Sequence, residues 1–327
     1  MKRLNMRRFL ALALALAVAL VLAGCGTGEN DSPENGYPED ITDPEYPVSV
    51  GDAIVEFRPT RVVSLAPSLT EKIYDLGHGG RLVGISDHQG AYPASLAHLP
   101  SYGLAPMPDI QGILSVNPHV VFSVSELPQS AMVALEVAGI PLVILPSYAH
   151  SISELEFIYL GISMALDGRT TGRLRGELFL RGFYEQISEI STRVPAEYPP
   201  LNAVYLRALD FTVATGDTLE GVLLERLGFV NVAAGWSDWV LDPEEAATPE
   251  GQELLASVDV IFFDPDYIDP EDIAESAVWG GINAAQVRID SQIFERQSLR
   301  LLGQLERISQ AKLDLQVYLE NQNEENV

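Results

Sequence analysis

One cysteine, Cys25, serves a chain of 327 residues. A lone thiol closes no disulfide within the chain. Nor can it supply the thiolate sets of iron–sulfur clusters or structural zinc sites. Basic residues are scarce too: 20 Lys and Arg stand against 46 Asp and Glu, a formal net charge of −26. Nucleic-acid backbones are held by clustered Lys and Arg, so nucleic acid is not an expected partner. So acidic a chain also has no reason to lie flat on an anionic bilayer. The longest apolar run, Phe9–Leu22, falls short of the ~20 residues that cross a hydrocarbon core. There is no Gly-x-Ser-x-Gly elbow, no P-loop and no His-Glu-x-x-His pattern. Asp264 and Asp266 form a carboxylate pair at an expected strand end, an arrangement more often met in turns than in active sites. The expectation is a protein with no catalytic residues, no metal site and no resident cofactor.

What is present begins at the amino terminus. Lys2, Arg3, Arg7 and Arg8 precede the apolar run, the order of a secretory signal. The run closes on Leu22-Ala23-Gly24-Cys25, which resembles the lipobox of bacterial lipoproteins. That resemblance implies that residues 1–24 are removed and that Cys25 carries lipid. It places the protein on the extracytoplasmic face of the bacterial cell membrane. Residues 25–46 are rich in Pro, Gly, Asp and Glu with little to bury, and read as a disordered acidic tether.

The body is α/β. Val48–Val50 and Ile54–Phe57 flank Gly51-Asp52 as a small hairpin. Apolar runs at Arg61–Ala66, Arg81–Ile85, His119–Val124 and Leu142–Leu145 read as buried strands. Helices are expected between them, at 69–76, 109–116 and 128–138. Ser68 and Glu71 are spaced as a capping box for the first. From Ser151 to Arg193 there is no proline and no strand pattern, only apolar residues at helical spacing with Gly168 as a possible divider. Strands are expected again at Asn202–Leu206, Phe211–Thr215, Val258–Phe263 and Val287–Asp290, with helices at 218–227, 249–256, 270–277 and 294–319. The layout is an N-terminal lobe (47–150), a linker helix (151–193) and a C-terminal lobe (199–320). Alternating strands and helices imply mainly parallel, Rossmann-like sheets in both lobes.

Several segments resemble the helical-backbone (class III) substrate-binding proteins of ABC importers, which bind cobalamin, ferric siderophores or haem. The fullest match is Arg61-Val62-Val63-Ser64-Leu65-Ala66-Pro67-Ser68-Leu69-Thr70-Glu71. Leu82–Ser86, Ala138–Val143 and Leu224–Phe229 add shorter ones. The resemblance implies two lobes joined by a long helix, with ligand held in the cleft between them. It also implies an ABC permease and its ATPase as partners. Permease docking falls to an outer helix of each lobe, where the family carries glutamate. Here those positions hold Gln111 and Gly251, leaving Asp109, Glu250 and Glu253 as neighbouring carboxylates.

Cleft residues should come from strand ends and the loops after them. Aromatics are frequent there, and flat rings suit a large planar ligand. The expected ligand-binding residues are Tyr92, Tyr102, Met107, Tyr148, Trp236, Trp239 and Tyr267. Met107, His88, His150 and Tyr148 are the candidate axial ligands if the cargo is haem. The C-lobe cleft loops contain no arginine, Arg207 being the nearest. That favours cobalamin, which is large and lacks net negative charge, over an anionic siderophore. The cargo itself is the expected carrier of any Co or Fe. Alternatives are a haem- or ferric-siderophore-binding member of the family, or a surface sensor lipoprotein built on the same fold.

Overall fold

The computed structural model describes residues 43–87 and 92–325. Cys25, the signal segment, most of the expected tether and His88 lie outside these residues. From Asp43 onward the chain is one compact unit, and order begins earlier than the sequence pattern implied. The Glu45 carboxylate accepts hydrogen bonds from Thr170 N (2.6 Å) and Thr171 N (3.2 Å). The buried Tyr46 donates its hydroxyl to the Ala165 carbonyl.

A short hairpin, β1 (Val48–Val50) and β2 (Ala53–Val55), opens the body. The first lobe then follows β3 (Val62–Ser64), α1 (Pro67–Ile73), β4 (Leu82–Gly84), a two-stranded excursion β5 (Gly103–Leu104) and β6 (Met107–Pro108), α2 (Ile110–Ser115), β7 (Val120–Ser123), α3 (Gln129–Val137) and β8 (Leu142–Ile144). The sheet is wholly parallel in the order β4-β3-β7-β8. Helices α4 (Ile152–Asp167) and α5 (Thr171–Ser191) pack against each other and carry the chain to the second lobe. The expected spacer is thus two helices, reversed at Gly168. Its φ of +99° suits glycine, and a Cβ there would collide with Glu45.

The second lobe comprises β9 (Asn202–Leu206), α6 (Leu219–Arg226), β10 (Val230–Asn231), α7 (Pro243–Ala246), α8 (Pro249–Ala256), β11 (Val260–Phe263), α9 (Pro270–Glu275) and β12 (Ala285–Arg288). It ends with α10 (Ser291–Arg296) and α11 (Arg300–Glu325). Its order is β10-β9-β11-β12, again all parallel. In both sheets the first strand lies between the second and third, so each lobe has a topological switch point at the same place. The expected strand at 211–215 contributes only isolated bridges, Leu206 with Val213 and Thr212 with Val240.

Parallel strands are buried on both faces, and the cores follow from that. Val63, Leu65 and Val121 meet Tyr102 and Ile113 on one face of the first sheet. Val204, Ile261 and Phe263 meet Trp279 on one face of the second. The remaining faces share a single core. Val62, Val120 and Phe122 continue through Ile158, Tyr159 and Phe183 to Tyr205, Val260, Phe262 and Leu301. One apolar mass therefore runs through both lobes.

Candidate functional site

A cavity of about 680 Å³ opens where the carboxyl ends of the two sheets face each other. Pro67 and Ser68 reach it from the end of β3, and Ser147, Tyr148 and His150 from the end of β8. Arg207 and Thr212 follow β9, Tyr267 follows β11, and Gln292, Glu295 and Arg296 belong to α10 after β12. Trp239 completes the lining. Ligand sites of α/β sheets form at such switch points, and the volume lies within the ~300–1,000 Å³ typical of small-molecule pockets.

The aromatic wall is fixed by unusual backbone. Asp238 and Trp239 both adopt left-handed conformations, with φ of +58° and +65°. Strain of this kind costs on the order of 1–3 kcal/mol per residue and persists only where neighbours impose it. Here Asp238 N donates to the Asp217 carboxylate, Trp239 N to Thr215 Oγ1, and Val213 N to the Trp239 carbonyl. The indole stands 6.5 Å from the Tyr148 ring and 6.1 Å from the Tyr205 ring, centre to centre. The Arg207 guanidinium lies 4.9 Å from the indole centre, and its Nη2 is 2.6 Å from Glu295 Oε1.

Beneath the cleft the lobes are joined by buried polar groups. Arg296 Nη1 and Ser298 Oγ donate to the two oxygens of Glu71, at 2.5 and 2.6 Å. Leu299 N donates to Asp75, and Lys72 Nζ to the Arg296 carbonyl. Burial pushes Lys72 down to about 7 and Asp75 up to about 6. The expected capping box is absent as a result. Ala66 is the N-cap of α1 without a side-chain bond, and Glu71 is turned across the lobe boundary instead. Tyr148 donates its hydroxyl to Glu220 of the second lobe, and the Gln297 amide bonds both backbone groups of Ala149.

Of the seven residues expected to meet ligand, Tyr148, Trp239 and Tyr267 line this cavity. The other four do not. Tyr92 is buried with its hydroxyl on Ser86 Oγ at 3.0 Å. Tyr102 is spent on the first lobe's core. Met107 sits 83% exposed at the tip of the β5–β6 hairpin. Trp236 packs on the second lobe's core and donates Nε1 to Glu245. The expected C-lobe cleft loops hold no arginine, but Arg207, named as the nearest, does line the cavity, and Arg296 of α10 joins it. Gln292, Glu295 and Arg296 were missed because no cleft residues were expected after the last strand, whose following helix was placed from Phe294 onward. Asp290-Ser291 was the available signal, an N-cap directly after a strand, and Asp290 does cap α10 through Ile293 N.

Among the docking candidates, Gln111, Glu250 and Glu253 are exposed. Asp109 caps α2 by accepting from Gly112 N. Gly251 is buried in α8, and a Cβ there would strike the Glu245 carbonyl. That explains why the acids sit beside this position rather than on it. The Asp264 carboxylate is occupied by Ser291 N, Ser291 Oγ and Asp266 N. It shapes the turn after β11. Among the described residues no group of three or more His, Cys, Asp or Glu is arranged to hold a metal ion.

This architecture, two parallel-sheet lobes facing each other across a cleft, is the fold of the two-lobed periplasmic binding proteins. No protein-family model matches the sequence. The chain is similar to the uncharacterized ABC transporter substrate-binding lipoprotein YvrC of Bacillus subtilis, with 23% identity over 281 residues covering 81% of this chain and 85% of YvrC. Among solved structures it resembles the periplasmic heme-binding protein HutB of Vibrio cholerae, with TM-score 0.59 and 20% identity over 77% of this chain and 98% of HutB. It also resembles the periplasmic vitamin B12-binding protein BtuF of Vibrio cholerae, with TM-score 0.52 and 18% identity over 80% of this chain and 98% of BtuF.

Proposed function

We propose that this protein is the extracytoplasmic solute-binding component of an ABC importer and no enzyme. It captures a large ligand of the cobalamin, haem or ferric-siderophore kind between its lobes and delivers it to a permease. The observation that carries this reading is the cleft itself. It lies at both sheets' carboxyl ends and is lined by Tyr148, Trp239 and Tyr267 around an open volume of about 680 Å³. Rings placed this way bury much area while freezing few rotamers. Cys25 anchors the body by lipid, and the exposed acids Asp109, Glu250 and Glu253 meet permease arginines through charge-assisted bonds.

Titration of protein lacking residues 1–25 against cyanocobalamin, haemin and ferric siderophores, read by tryptophan fluorescence, tests the ligand class. Trp239 lines the cavity, so its emission should change on binding at about micromolar concentrations or below. A flat response to every member of the panel would end this reading. For the anchor, Cys25→Ala should move the full-length protein from the membrane pellet to the soluble fraction. Retention in the pellet would overturn the lipid assignment.

A further inference from the structure

The ion pair inside the cleft has features that a structural pair does not need. Arg207 and Glu295 belong to the same lobe, so their bond does not hold the lobes together. Their side chains are 33% and 43% exposed, and pairs that open to water add only about 0–1 kcal/mol to stability. Glu71 with Arg296, close by, is the contrasting case: it is buried and spans the lobes. Arg207 is instead held over one face of Trp239, a cation and a flat ring side by side in the cavity lining. In a chain of net charge −26, that cation is a local reversal placed within the binding cavity.

We propose that Glu295 is a built-in substitute for an anionic group of the ligand. It occupies Arg207 while the cleft is empty and is displaced when ligand binds. Resting on the solute-binding reading above, this assigns the cargo to a chemical class: large and flat, with at least one carboxylate or comparable anion beside a ring system that stacks on Trp239. The exchange trades one carboxylate for another on the same guanidinium. An anionic ligand therefore keeps Arg207 paired, whereas a neutral ligand of the same shape gains nothing there. Glu295 then sets how strongly a ligand's charge must compete and so acts as a specificity-determining residue. The preference for an uncharged ligand rested on C-lobe loops without arginine, and Arg207 and Arg296, reaching the cavity from outside those loops, remove that ground.

The test uses protein lacking residues 1–25, as wild type, Glu295→Gln and Arg207→Gln, with three probes: haemin, its dimethyl ester, and cyanocobalamin. Haemin carries two carboxylates, its dimethyl ester carries none, and cyanocobalamin has no carboxylate and no net charge, its one phosphodiester being balanced at cobalt. Glu295→Gln should bind haemin roughly threefold or more tightly, because the competing charge is gone while the shape is kept. Arg207→Gln should weaken haemin by a similar factor or more. The dimethyl ester should not respond to either change. If Glu295→Gln binds haemin equally or more weakly, or if ester and acid respond alike, the substitute role is wrong although the solute-binding reading stands. Cyanocobalamin as the one probe bound, indifferent to both substitutions, would also overturn it. If none of the three binds any of the proteins, this inference fails, while the solute-binding reading then rests on the ferric siderophores of the wider panel.

Discussion

Burial raises the Glu220 carboxyl to about 7 from an ordinary 4.5, against the lowering effects of the Tyr148 hydroxyl and Arg207. Tyr148 and Arg207 are the side chains that lower it, and Glu295 adds to the raising effect of burial. An unfolded chain gives up this proton near 4.5 and the folded chain near 7. The folded state therefore binds it more tightly between those values. Its contribution to stability is complete below about pH 4.5 and is lost as pH rises through 7, by about 3 kcal/mol. Glu220→Gln keeps an acceptor for Tyr148 without the charge. Chemical denaturation at pH 5 and pH 7.5 should show wild type losing more stability than Glu220→Gln across that interval, and equal losses would show that the pH dependence lies elsewhere. Nothing in the sequence marks this acid, which looks like an ordinary first-turn glutamate after the Thr218 cap. Tyr148, Trp239 and Tyr267 were legible because they follow strands. Tyr102 and Trp236 follow strands or lie in loops as well. They were misplaced because a ring after a strand can turn into the lobe core as readily as into the cleft.

Between α10 and α11 the chain breaks at Gln297, in left-handed conformation with φ of +50°. The sequence reads straight through this point, since Arg296-Gln297-Ser298-Leu299 contains neither Gly nor Pro. What ends the helix is tertiary. Gln297 is wholly buried, with Oε1 accepting from Ala149 N at 2.7 Å and Nε2 donating to Ala149 O at 2.8 Å. It pairs a loop of one lobe with the last helices of the other. Gln297→Ala leaves both Ala149 groups unpaired in a buried setting, so a loss of about 2–5 kcal/mol is expected. Gln297→Gly relieves the backbone strain but should still be less stable than wild type. Urea denaturation decides it: a Gln297→Ala midpoint equal to that of wild type would show the clamp to be dispensable. Elsewhere the elements were readable where local signals sufficed. Asn202–Leu206 and Pro249–Ala256 fall where the pattern put them, the latter behind a Thr248 cap. Glu71 is the opposite case, a cap signature whose carboxylate is claimed by Arg296.

At the scale of the molecule, the alternation of strand and helix announced two parallel sheets, and both exist with the same internal order. The join between them was not legible. Periodicity reports which face of an element is apolar, not which neighbour covers it, so a core continuous through both lobes looks in sequence like two separate ones. That continuity sets terms for how such a protein can change over evolutionary time. Phe183, Tyr205, Phe262 and Leu301 share one core with Val62, Val120 and Phe122. Neither lobe is a self-sufficient module, and recombination that exchanges one for a relative's would join surfaces that were never fitted to each other. New cargo is reached instead by single substitutions at the cleft rim, where Arg207, Trp239 and Tyr267 can be altered without reopening the shared interior.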